Sequence, residues 1–182
     1  DADDNVRIAV LANPNTTDKV REVVYQQPVS DEMKETLASD PHTPSHVLQN
    51  MSKNLQSDKL RLLILHHQNV NTATVETIMG QTMSQETKLT LASSLKTPER
   101  ALELLAEKEP TTHMKLVDNN KTPAKALLTI ANSEGSNLNA RFLTGYHSNT
   151  NTEVLERLAA DKNWALRFAA SRTDKLSSQT AE

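Results

Sequence analysis

Apolar residues recur in this chain on two scales. Within "KLRLLIL" (59–65) they are nearly continuous, which marks a short helix packed on more than one side. Along the chain such stretches return with a long period. Starting from Arg7 in "NVRIAVLA", a basic residue follows as Lys34, Arg61, Lys88, Lys115, Arg141 and Arg167, in steps of 27, 27, 27, 27, 26 and 26. The residue before it is apolar at Val6, Met33, Leu60, Met114 and Leu166, and weaker at Thr87 and Ala140. Three positions after it stand Val10, Leu37, Ile64 and Leu91, and the pattern then degrades to Asp118 and Thr144. A fixed period of this length is the signature of a repeat array.

Each repeat reads as helix, turn, helix. The turn appears as "ANPNTTDKV" (12–20) and returns as "SDPHTPSHV", "LKTPERAL", "NKTPAKAL" and "HSNTNTEVL". Thr16, Thr43, Thr97, Thr122 and Thr150 are placed as N-caps of the second helix, Pro44, Pro98 and Pro123 as its first residue, and Thr150 with Glu153 as a capping box. The second helices are amphipathic, as in Val47, Leu48 and Met51, or Val154, Leu155 and Leu158. Their stops fall near Pro28, Gly80, Pro110 and Gly135. One such hairpin cannot bury its apolar face, but stacked hairpins can. The pattern predicts an all-α protein, an α-solenoid of about six to seven two-helix repeats of roughly 27 residues. As a single domain over 1–182, its repeats cover 4–28, 29–56, 57–83, 84–110, 111–136 and 137–163, with a half-repeat at 164–176, its helix ending near Lys175, and a polar tail at 177–182.

Composition narrows the chemistry. Apolar residues make up 36% of the 182 and aromatics 3%, with three glycines, which argues against a β-sandwich or barrel. The net charge of −3, with both signs interspersed, gives no sign of a nucleic-acid or anionic-membrane partner. There is no cysteine, so disulfides, thiolate metal sites and a cysteine nucleophile are all excluded; this fits a cytoplasmic setting. No apolar run approaches the length of a membrane span.

At "NVRIAVLANPNTTDKVREV" and "NTNTEVLERLAADKNWALRFAA" the chain resembles the variant leucine-rich repeat family, a bacterial helical repeat. The valine–arginine pair, the Asn-Pro-Asn-Thr turn, the "EVLERLA" helix and the D-x-x-W-x-x-R join follow that family's wording. The middle repeats keep the period and lose most of the motif. The resemblance implies a right-handed superhelix of short helices and carries over no catalytic residue. The cysteine-rich iron–sulfur segment of some members has no counterpart here.

Catalytic grammar is missing: no G-x-S-x-G, no glycine-rich phosphate loop, no H-E-x-x-H. The chain reads as a nonenzyme with no cofactor. His42 and His46 straddle a turn threonine and His66 and His67 diverge, so no metal site is expected. The seven-membered basic column has two readings, a ladder for phosphates or acids and a structural ladder paired with its own acids. Asp4, Asp31 and Asp58 stand three residues before Arg7, Lys34 and Arg61 and should pair with them. Lys88, Lys115, Arg141 and Arg167 lack such a neighbour and form the candidate binding stripe. Trp164 is expected as a core plug between the sixth and seventh repeats rather than an interface anchor. Repeat scaffolds mostly hold other macromolecules, so the expected function is a protein-interaction scaffold, with nucleic-acid binding along the stripe as the alternative.

Overall fold

The computed structural model describes residues 2–27 and 30–171. Those residues are all-helical, with no strand among them. The expected stop at Pro28, the end of the last helix near Lys175 and the polar tail lie outside them. Two compact units divide at Gln81 and Thr82. The first holds α1 (Ala2–Ala12), α2 (Asp18–Tyr25), α3 (Asp31–Ser39), α4 (Ser45–Met51), α5 (Asp58–Leu65) and α6 (Thr72–Met79). The second holds α7 (Gln85–Ser93), α8 (Glu99–Lys108), a 3₁₀ turn at Pro110–Thr112, α9 (His113–Asp118), α10 (Ala124–Asn132), α11 (Leu138–Thr144), α12 (Thr152–Ala159) and α13 (Trp164–Ser171). Within the first unit α3 packs on α1 and α5, and α4 on α6; within the second, α7, α9, α11 and α13 pack in sequence, as do α8, α10 and α12. In the second unit odd helices thus pack on odd and even on even, while in the first α2 packs on α1.

Helices of six to eleven residues have almost no interior, so their ends dominate their energetics. Ser30, Ser57 and Ser84 cap first helices by accepting from the N–H of Met33, Leu60 and Thr87 at 3.2, 3.3 and 3.2 Å. Apolar burial supplies the rest: Met33, Leu37, Leu48, Ile64, Leu65, Ile78, Leu91, Leu102, Leu105, Leu116, Leu127 and Ile130 are all fully buried.

The turn threonines do something other than expected. The N-caps of α2, α4, α8, α10 and α12 are Thr17, Pro44, Pro98, Pro123 and Asn151, each one residue later. Thr16, Thr43, Thr97 and Thr122 instead turn backwards and donate to the carbonyls of Val10, Leu37, Leu91 and Leu116 at 2.6, 2.7, 2.8 and 2.6 Å; Thr150 does the same to Thr144. Each bond spans six residues and closes the end of a first helix, where carbonyls lack intrahelical partners. The prolines sit at the cap with extended backbone (Pro44 φ −69, ψ 154), not at the first helical position. A proline also holds the preceding threonine out of helical conformation, which keeps its hydroxyl aimed at the first helix. The capping box at Thr150 is absent; Asn151 accepts from the Val154 N–H at 3.1 Å.

The threonine bonds reset the register of the fifth repeat. Thr16, Thr43, Thr97 and Thr150 stand nine residues after Arg7, Lys34, Lys88 and Arg141. Nine residues before Thr122 is His113, not Lys115. The 3₁₀ turn at Pro110–Thr112 runs straight into the six-residue α9 and shortens this repeat, so a count of residues alone lands two positions late.

Candidate functional site

The basic column is a set of caps and ion pairs. The expected short-range pairs form: Arg7 with Asp4 at 3.1 Å, Lys34 with Asp31 at 2.7 Å and Arg61 with Asp58 at 2.6 Å. Of the four candidate stripe residues, Lys88 meets Glu109 at 2.6 Å. Arg141 donates to the Ala131 carbonyl at 3.0 Å and to Asp161 at 2.5 Å. Arg167 donates to the carbonyls of Asp161 and Lys162, both at 2.9 Å. Lys115 lies off the column, exposed on α9. His113 takes its place in the column, fully buried, with Nε2 2.9 Å from the Ala106 carbonyl. Burial pushes the proton affinity of His113 down, and its Nδ1 has no partner. His113, Arg141 and Arg167 thus address carbonyls in the last turn of the preceding second helix or just past it, where a helix is electronegative. Arg61 reaches the carbonyl of loop residue Leu55 in the same way.

Asp161 anchors a polar cluster of its own. It accepts from the Asn163 N–H at 2.9 Å, from Arg141, and from Arg157 at 3.1 Å, with its side chain 5% exposed. The Asn163 N–H, followed by the two guanidinium groups, holds its carboxyl below the usual range against the opposing effect of burial.

A second periodic network runs through the turns. Asn13, Asp40, His67, Ser94, Asn119 and His147 each accept the backbone N–H two residues on, at 2.9–3.2 Å. The same residue can also reach back one repeat. His67 Nε2 is 2.8 Å from the Asp40 carbonyl, and His147 Nε2 is 3.0 Å from the Asn119 carbonyl. Asn119 donates to the carbonyls of Ala92 and Ser94 at 2.8 and 3.1 Å. A backbone N–H can only donate, so Nδ1 of both histidines is the acceptor and Nε2 carries the proton. Two residues on, Asn69 donates to Pro41 and Thr43, and Asn149 to Asn120 and Thr122, at 2.9–3.1 Å. The remaining histidines of the turns are separated, His42 on Asp40 at 3.0 Å and His46 on Glu22 at 3.2 Å. Among the described residues no three His, Cys, Asp or Glu side chains gather as a metal site would need.

With so much of the polar periodicity turned inward, the exposed feature of the second unit is apolar. Trp164 is 71% exposed, which overturns its expected place as a core plug. It lies in the first turn of α13, three residues before Arg167, while the buried side of that helix is made by Leu166, Ala169 and Ala170. Leu138 holds the equivalent place on α11 and is exposed as well. Phe168 follows Trp164 by one turn, as Phe142 follows Leu138, and Phe142 meets the exposed Tyr146 with ring centroids 5.2 Å apart. α11 and α13 pack together, so these side chains stand at equivalent places on neighbouring helices, with Tyr146 in the turn after α11.

No family model, curated protein or solved structure matches this chain. The likeness to variant leucine-rich repeats therefore rests on the residues that carry it.

The turn network had a legible signal in "HQN" (67–69) and "HSN" (147–149), where the same two residue types recur at the same spacing. The aromatic strip had none beyond residue type, because exposure in a first helix depends on which side of it the neighbours occupy. No described helix is long and apolar enough to cross a membrane.

Proposed function

We propose that this chain is a noncatalytic protein-interaction scaffold: a solenoid of variant leucine-rich type whose second unit presents an aromatic docking strip. The observation that carries this reading is the exposure of Trp164, together with that of Leu138, Tyr146 and Phe168 on or next to the packed helices α11 and α13. Large exposed aromatics are costly to leave in water and are the side chains that anchor protein interfaces. A row of them on two packed helices is rigid, so a partner loses little entropy in meeting it. The helical turns on the other hand spend their hydrogen-bonding groups within the chain, leaving little of the periodic polar pattern for a ligand. The cationic stripe is a weaker basis for nucleic-acid binding, because Lys88 and Arg141 are matched by carboxylates within 2.6 Å.

The test is affinity capture from the native host with the wild-type chain and with Trp164→Glu, both first shown to be folded by circular dichroism. The reading expects a partner retained by the wild type and lost with Trp164→Glu. Equal recovery by both would sink it. A salt-titrated assay on duplex and single-stranded nucleic acid covers the alternative, which requires binding that weakens steeply as salt rises.

A further inference from the structure

A cleft opens between the first two repeats, inside the first unit. Elsewhere second helices close on one another: α4 packs on α6, α8 on α10 and α10 on α12. α2 and α4 are less closely joined, and a cleft of about 550 Å³ lies between them, over α3. Its floor is made by Leu37, Val47 and Met51, buried residues fixed by their own packing, with Tyr25 beside them. Glu22 on α2 meets His46 on α4 at 3.2 Å, and since both line the cleft, their bond bounds it on one side. α3 and α4 pack as a hairpin across a short turn (40–44) and run antiparallel. Lys34, in the first half of α3, and Lys53, just past the end of α4, therefore stand at the other end of the cleft from His46.

The charges at that end are unevenly matched. Lys34 has Asp31 at 2.7 Å, but the Asp31 side chain is 92% exposed, so the pair is a weak surface one. Lys53 has no carboxylate partner among the described residues. Its backbone is nonetheless braced. Gln81 donates to the Ser52 carbonyl at 2.6 Å and accepts the Leu55 N–H at 3.1 Å. Asn54, between them, takes the left-handed conformation (φ 58) that commonly follows a helix end. An unmatched cation on a braced turn, beside an apolar floor, suits an anion with an apolar body. One unmatched charge calls for one negative charge, a carboxylate rather than a phosphate dianion. A cleft of this volume, bounded on one side, is the size of a small-molecule site rather than a peptide groove. We infer that it binds a small organic acid, the carboxylate on Lys53 and Lys34 and the apolar body on Leu37, Val47 and Met51. The site lies in the first unit and is independent of the aromatic strip and its role.

An NMR titration of isotope-labelled protein with diphenylacetate tests this, with diphenylacetamide as the neutral counterpart. The expected result is saturable binding of diphenylacetate with amide shifts centred on the cleft, and binding of the amide weaker by about tenfold. Lys53→Gln should raise the dissociation constant for diphenylacetate about tenfold as well. Lys96→Gln, exposed in the second unit, controls for general charge and should leave that constant unchanged. Asn50 lines the cleft from an exposed position, so Asn50→Trp should fill it and abolish binding. All three substituted residues are exposed, and unchanged thermal unfolding checks that each variant is folded. Failure of diphenylacetate to bind in the cleft would overturn the proposal. So would an amide that binds as tightly, a Lys53→Gln or Asn50→Trp variant that binds like the wild type, or an equal loss with Lys96→Gln.

Discussion

Thr122 offers the sharpest test of how these turns work. Its side chain is fully buried, and its hydroxyl donates to the Leu116 carbonyl at 2.6 Å. That carbonyl also accepts the Asn119 N–H at 3.1 Å, so losing the hydroxyl does not orphan it. Thr122→Val keeps the shape and removes one bond, worth about 1 kcal/mol net, partly offset by the extra buried methyl. The expected cost is about 0.5–1 kcal/mol. Thr122→Asn separates this account from the capping account. Asparagine is among the best N-caps, so a capping threonine would tolerate it or gain. A buried hydroxyl aimed backwards has no room for an amide, and the variant should cost about 2 kcal/mol or more. Urea unfolding followed by circular dichroism measures both, each kilocalorie moving the thermal midpoint by about 2–4 °C in a chain of this size. Thr122→Asn as stable as the wild type would refute the backward bond as the source of the turn's stability.

Two more substitutions follow from the second unit. Asp161→Ala leaves Arg141 nearly buried without its carboxylate and the Asn163 N–H without an acceptor, an expected loss of about 3 kcal/mol in urea unfolding. Because the folded Asp161 has a lowered pKa, its contribution is complete above the ordinary carboxylate range and is lost as pH falls through that range towards the folded value; the wild-type stability should decline there more steeply than that of Asp161→Ala. Gly145→Ala places a methyl 3.1 Å from Leu158 Cδ1 and 3.2 Å from Ala169 Cβ, so thermal unfolding should report about 1–3 kcal/mol of destabilisation, and an unchanged midpoint would count against so close a contact.

The helices were legible because their signals are local. "KLRLLIL" buries Leu60, Ile64 and Leu65 as its pattern predicts, and the Asp–x–x–cation pairs form because three residues span one helical turn. The direction of Thr16 and its counterparts was not legible. A threonine before a helix can cap forwards or bond backwards, and the choice depends on whether the following residue, often proline, takes the cap. Lys115 misled for a related reason. Counting assumes a constant repeat length, and the 3₁₀ turn before α9 breaks it while the backward threonine bond does not.

These cases bear on where function can be read in such a chain. A short helix exposes as much unsatisfied backbone as it pairs, so every repeat must solve the same hydrogen-bonding problem, and a residue type that solves it once will recur with the repeat. Periodicity is then what structural need produces. Arg141 and Arg167 are on schedule because a helix end precedes each of them, and His67 and His147 because each must hold one turn to the last. A group that faces a partner is under no such obligation. Trp164 shares its position with Leu138 on α11 but with Asp31 on α3 and Asp58 on α5, so its chemistry breaks the column rather than continuing it. Function in this protein is sought where type or burial leaves the period, and the basic column, for all its regularity, is where it is least expected.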